Sequence, residues 1–309
     1  MPAPKQLDAS SIFSRRFGAA TLMVLLLVSQ RSAAEDNTVY QYQEGLENFA
    51  ISQQQFESTK ENTFEQDQEG TQNSAHGVQK QERDSKIRQK QDGAFNDSHV
   101  QQQYGSDNEI HNVQIGAENN ATTLQSVTHG NLALTRQVGF GNAGSISQLS
   151  GNFNDARIHQ SGIANRADTS QDSGFYVKSH TEQQGNDNNA SASQTGVGHF
   201  SVIAQEGAFN RGLVQQSGAQ QEADLLQSGL ANQSILLQED DYNRASSNQS
   251  GNFNQVIIQQ SGAFGLGGSH QSIVSQVGSF NATAISQTGA SSNATVTQFG
   301  NGNSVSLSH

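Results

Sequence analysis

The amino-acid sequence predicts an all-β fold: a β-solenoid of stacked strand-turn-strand units, with the open strand edges of a cross-β, fibre-forming chain. Three observations predict it. Glutamine returns every eleventh residue at Gln183, Gln194, Gln205, Gln216, Gln227, Gln238, Gln249 and Gln260, and the series resumes at Gln276, Gln287 and Gln298. Between these anchors, small and aliphatic residues alternate with polar ones at the period of a half-buried strand. Both prolines, Pro2 and Pro4, lie at the start, so nothing beyond them removes a donor from a strand ladder.

The elements follow in chain order. Residues 1–34 read as a secretory signal peptide: Arg15 and Arg16 precede an apolar run at 18–28, and SQRSAA ends at Ala34. The run is too short to span a bilayer. Removing it leaves 12 Lys and Arg against 27 Asp and Glu, a net charge of −15, and no Pro, Met, Cys or Trp. That balance argues against nucleic acid as a partner. The lack of cysteine argues against a disulfide framework or a thiolate metal site. Only 32% of the chain is apolar, so each unit has to bury a thin strip against its neighbours instead of building a conventional core.

Residues 35–110 read as a charged N-terminal segment with degenerate repeats. QEGLENFAISQQ at 43–54 and QEGTQNSAHGVQ at 68–79 keep the unit, but 57–92 carries 14 charged residues of both signs. Such a mixture predicts a solvated, poorly ordered stretch, or a contact region for an export apparatus or the cell surface. Residues 111–309 read as the solenoid itself. Anchors at Gln114, Gln125, Gln137, Gln148, Gln160 and Gln171 step by 11 or 12, and the unit is Q-x-G-x-x-N-x-small-x-aliphatic-x-Q.

Each half of the unit has its own physics. Asn254, Val256, Ile258 and Gln260 share one strand face, as do Asn281, Thr283, Ile285 and Gln287. The ladder set also includes Asn188, Asn210, Asn232, Asn243 and Asn303, with His309 in the last anchor slot. Glycines at Gly185, Gly196, Gly207, Gly218, Gly229, Gly251, Gly262, Gly278, Gly289 and Gly300 supply turn angles that other residues resist. Two strands and two turns make a lap of 22 residues, and anchors two units apart stack into glutamine and asparagine ladders. Extra residues fall in turns, one in SGNFN and five in GAFGLGGS, where a slip does not invert a strand's faces.

The unit S/x-Q-x-G-x-x-N-x-A-x-x-x-Q, seen in IAQEGAFNRGLVQQSG and in the closing QTGASSNATVTQFGNGN, resembles the curlin repeat of bacterial curli fibre subunits. The resemblance covers 111–309 well and 43–110 loosely. It implies a secreted structural subunit that crosses the outer membrane unfolded through the curli export apparatus. It further implies self-assembly, with other curlin subunits, into extracellular amyloid fibres on the cell surface, a fimbrium serving adhesion and biofilm matrix. Arg166, Arg211 and Arg244, each directly after an asparagine, are similar to the repeats of the minor curlin that nucleates fibres. The C-terminal units look like those of the major subunit, and both roles stay open.

No catalytic, cofactor-binding or metal site is expected. The nine histidines lack paired metal spacing, and Asp155, Asp187, Asp240 and Asp241 read as solvated turn residues that moderate aggregation. An enzyme on a β-helix would need acids or bases clustered against the repeat, which 111–309 does not offer. A secreted ice- or surface-binding solenoid would need a flat outward array, whereas Arg211, Leu213 and Gln215 are followed by Gln233, Ile235 and Leu237. A disordered prion-like chain is favoured by composition and opposed by the strict parity. Turn aromatics read as covers for the column ends or as exposed adhesive spots.

Overall fold

The computed structural model describes residues 25–31, 37–55, 59–262 and 268–309. Twenty-five strands, numbered in chain order from β1 (Leu25–Arg31) to β25 (Ser304–Ser308), lie in two sheets. Odd-numbered strands form one sheet of 13 and even-numbered strands another of 12, each in chain order. The pairings are parallel and in register. Parallel neighbours normally need a crossover of a dozen or more residues, usually a helix. Here the crossover is a strand of the other sheet, so the chain winds as a solenoid. A lap takes 23 residues at Gln160 and 22 from Gln183 onward. The five-residue insertion after Gln260 stretches one lap to 27 without breaking the register. Of the expected leader, residues 1–24 and 32–34 lie outside the described residues, and β1 runs parallel to β3 (Phe49–Gln55).

Alternation places every second side chain between the sheets. Val256, Ile258, Leu236, Leu225 and Ile203 are fully buried there, forming one apolar cluster from Ala190 to Val296. Large residues fit because small ones face them: a Cβ on Gly212 would sit 3.1 Å from Ile203 and 3.2 Å from Leu225. Val305 is half-buried against this cluster, and Leu307 is exposed.

The charged segment joins the same column. β6 (Lys86–Ala94) pairs with β8 (Glu109–Ala117) residue for residue, so the expected boundary at 110/111 marks no break in the ladder. The poorly ordered reading gives way for two physical reasons. First, outward charges of opposite sign are neighbours across laps: Arg88 lies 3.6 Å from Glu65 and Lys90 3.3 Å from Asp67. Second, amides replace missing apolar residues. Gln41 donates to Gln66 (2.6 Å) and Gln66 to Gln89 (2.8 Å), a second buried row two residues before the anchors. Phe64 fills the space left by Gly77, whose added Cβ would lie 2.0 Å from the ring.

Turns hold a surprise for a glycine-centred reading. The glycines do take left-handed angles, but so does the residue just before the asparagine: Phe209 (φ 57°), Ala231 (54°), Phe253 (54°) and Phe280 (59°). Each such non-glycine residue costs about 1–2 kcal/mol, a strain that the stacking on either side has to overcome. Phe253 and Phe280 stack with centroids 5.1 Å apart and planes at 7°. These aromatics therefore line an edge of the column and do not cover its ends.

Among the described residues one carboxyl group is sealed inside. Glu82 is fully buried, accepting from Ser85 Oγ (2.7 Å) and Asn108 Nδ2 (3.2 Å). Burial pushes its carboxyl up from 4.5 to about 7, against the opposing pull of the bonds from Ser85, Asn108 and the Gly105 backbone. The folded state thus holds this proton more tightly than the unfolded chain, and stability is lost as pH rises from about 4.5 to 7. We predict that Glu82→Gln changes denaturant stability little at pH 5 and gains about 3 kcal/mol over the parent at pH 8. A difference between the two proteins that does not vary with pH would contradict the buried acid.

Candidate functional site

The site is a column of buried amides carried by both sheets. Glutamines of the even strands form one file, Gln43, Gln68, Gln91, Gln114 and Gln137 leading through Gln160, Gln183, Gln205, Gln227 and Gln249 to Gln276 and Gln298. Each Nε2 donates to the Oε1 of the next lap at 2.6–3.0 Å. The odd strands carry a second file, from Gln54 through Gln194, Gln216, Gln238 and Gln260 to Gln287, at 2.8–3.2 Å. The second amide hydrogen crosses the core. Gln205 also donates to Asn189 O (3.0 Å) and Gln216 to Phe200 O (3.1 Å), tying each sheet to the other. Each interior glutamine therefore spends both hydrogens and accepts one, which is what a buried amide requires.

Asparagine does the corresponding work in the turns after even strands. Asn188, Asn210, Asn232, Asn254, Asn281 and Asn303 form one file, in which Oδ1 of each accepts the next residue's backbone N–H and Nδ2. Nδ2 also reaches the lap ahead, as from Asn210 to Gly229 O (3.0 Å). Asn243 is not in this file. It sits on the opposite edge, where Asn131 and Asn154 are followed by Val177, His199, Gln221, Asn243, His270 and Ser292. On that edge Asn131, Asn154, His199 and Asn243 accept the backbone N–H of the lap ahead, whereas Val177 has no acceptor to offer and Gln221 Oε1 is buried without a partner. Burial lowers the pKa of His199, favouring the neutral ring whose Nδ1 receives the Gln221 N–H.

Gly185, Gly207, Gly229, Gly251, Gly278 and Gly300 stack above one another on even-strand ends, while Gly196, Gly218, Gly262 and Gly289 end odd strands. A Cβ on Gly207 would come within 2.1 Å of Gly229 O, so close stacking demands glycine as much as its φ of +107° does. A Cβ on Gly289 would meet open space, and one on Gly300 only Asn303 Nδ2 at 3.8 Å. His309, expected in the final anchor slot, is exposed and holds its place through backbone bonds with Ser286 and Thr288. The sequence reading overlooked the Q-x-Q pairs at 41–43, 66–68 and 89–91, which mark the second amide row.

A family model described as the curlin-associated repeat matches residues 128–162 and again 273–300. Both stretches carry a unit similar to the curlin-associated repeat. No curated protein matches it. The first matched stretch falls where the curlin lap takes 23 residues, the second where it takes 22, so both lap lengths carry the family's unit.

Gln259 and Gln260 provide a control within one strand, since Gln259 is exposed and Gln260 is fully buried. Gln260→Ala removes the acceptor of one Gln238 Nε2 hydrogen, while Gln287 Oε1 keeps the Ser272 hydroxyl, at about 1–3 kcal/mol for the unsatisfied donor. We predict a markedly longer assembly lag for Gln260→Ala and an unchanged lag for Gln259→Ala. Equal kinetics for the two variants would remove the ladder from the account.

Proposed function

We propose that this chain is a structural subunit of secreted curli-type amyloid fibres on the cell surface, serving adhesion and biofilm matrix. The two matches to the curlin-associated repeat suggest a curli subunit that self-assembles and meets other curlin subunits. The observation that carries the reading furthest is the in-register stacking of backbone and amide ladders through both parallel sheets, the arrangement of a cross-β fibre. Export as an unfolded chain through the curli apparatus, after removal of residues 1–34, completes the proposal, and the absence of cysteine suits it. The role is architectural, with no catalytic chemistry assigned.

A nucleating role for the same chain draws on Arg166, Arg211 and Arg244, as the minor curlin's repeats do. Substoichiometric addition to a shorter curlin separates the two, because a nucleator abolishes that protein's lag and a shaft subunit merely co-assembles.

Charge decides where assembly begins. Beyond Arg244, 65 residues contain no Asp, Glu, Lys or Arg, so layers stacked there meet no like-charge repulsion. We predict thioflavin-positive fibres from purified 35–309 with a reflection at about 4.7–4.8 Å, and a shorter lag for 245–309 than for 35–110. Failure of 35–309 to form fibres, or a faster N-terminal fragment, would overturn this reading.

A further inference from the structure

Two histidines that no local spacing connects meet on the outer face of the column. His76 and His99 are 23 residues apart, one lap at this point, and stand opposite each other on β5 (Ser74–Arg83) and β7 (Asp97–Ser106). Their Nδ1 atoms lie 2.9 Å apart, with ring centroids at 4.7 Å and planes inclined at 40°. Both rings are half-buried. Other histidines are engaged differently. His111 pairs with Glu109, His129 with Asp107 and His159 with Arg136, while His199 and His270 bond to backbone carbonyls.

We propose that His76 and His99 form a binding site for a divalent transition-metal ion, held through both Nδ1 atoms with water completing its shell. Neutral imidazole is a ligand for Cu(II), Ni(II) and Zn(II) alike. The separation of the two nitrogens narrows that choice. With metal–nitrogen bonds of about 2.0–2.1 Å, nitrogens 2.9 Å apart subtend about 90° at the ion. That is the cis angle of a square-planar or tetragonal site, the geometry of Cu(II) and Ni(II), and it is too narrow for the tetrahedral shell of Zn(II). Cu(II) stands above Ni(II) in intrinsic affinity, so the site ranks it first. Among the described residues no group of three or more His, Cys, Asp or Glu could hold a metal, so water takes the remaining positions.

The surroundings suit a cation. Ile51 and Thr122 lie in register with the pair on either side along the column. On β5 and β7 themselves the flanking outward residues are Ser74, Val78, Asp97 and Gln101. Asp97 is the charged residue of these six, and it is an anion. A bond between two Nδ1 atoms requires one of them to be unprotonated, so at least one ring already offers a lone pair. The metal replaces the proton between them. The donor ring passes to its Nε2–H tautomer through solvent, both Nδ1 lone pairs reach the ion, and two neutral rings release no proton. Since the ligands come together only in the wound column, the ion favours the folded chain and clasps one charged lap to the next.

Equilibrium dialysis of the full chain against copper(II) chloride at neutral pH, beside His76→Ala, His99→Ala and His180→Ala, tests the site. Loss of an outer-shell partner costs a metal site about 10–100-fold in affinity, and loss of a ligand costs at least as much. His76→Ala and His99→Ala should each weaken the tightest Cu(II) binding by that factor. His180→Ala, at an outward histidine beside Glu182, should leave it unchanged. The electron paramagnetic resonance spectrum of Cu(II) on the parent chain should show coupling to two imidazole nitrogens, a readout independent of how the variants fold. Tight binding that survives either His76→Ala or His99→Ala overturns the proposal. So does a spectrum with a single imidazole, or a parent chain that retains no copper.

Discussion

A buried primary amide is tolerable only when both its hydrogens and its oxygen are engaged, and the rest of this molecule depends on that constraint. Gln205 meets it by donating to the lap ahead and across the core, and by accepting from the lap behind. The requirement fixes the register, since a one-residue slip would carry every anchor to the outside. It also fixes the lap spacing, because amide stacking and backbone pairing share one repeat along the column. Apolar residues then have a narrow task. A strip of Val, Ile, Leu and Ala between the sheets excludes water from bonds that give the structure its order.

The same constraint explains how the chain can vary. Where aliphatic residues run short, in the laps of Gln41, Gln66 and Gln89, extra amides stack and the column continues. On the edge of Asn131 and Asn154 the asparagine position is also taken by histidine, whose ring nitrogen still accepts the next N–H, and by glutamine, which keeps only the donor side through bonds to backbone carbonyls. The edge of Asn188 and Asn210 keeps asparagine throughout. Only that side chain accepts twice from one neighbour while donating to the glycine carbonyl of the next lap. Left-handed residues such as Phe209 and Ala231 are held in place by these bonds, against their own backbone preference.

Much of this was legible in the sequence because the anchors report parity directly. Asn254, Val256, Ile258 and Gln260 were expected on one face and are all buried. Two things were not legible. Spacing alone does not say which of two edges an asparagine joins, so Asn243 was grouped with residues it never meets. Composition also misled at 57–92, where mixed charge suggested solvation. Cross-lap neighbours such as Lys90 and Asp67 become visible only once the register is known. Glu82 gave no local signal at all, since its burial comes from the laps of Gly105 and Asn108 closing over it.

The central claim is that side-chain amides, and not backbone pairing alone, hold the laps in register. Hydrogen exchange of the amide side chains in assembled 35–309, followed residue by residue by NMR, tests it most directly. The account predicts that the Nε2 hydrogens of Gln205, Gln216 and Gln227 exchange as slowly as the strand backbone, while those of the exposed Gln215 and Gln259 exchange freely. Ladder amides that exchange as fast as the outward ones, beneath a protected backbone, would contradict it.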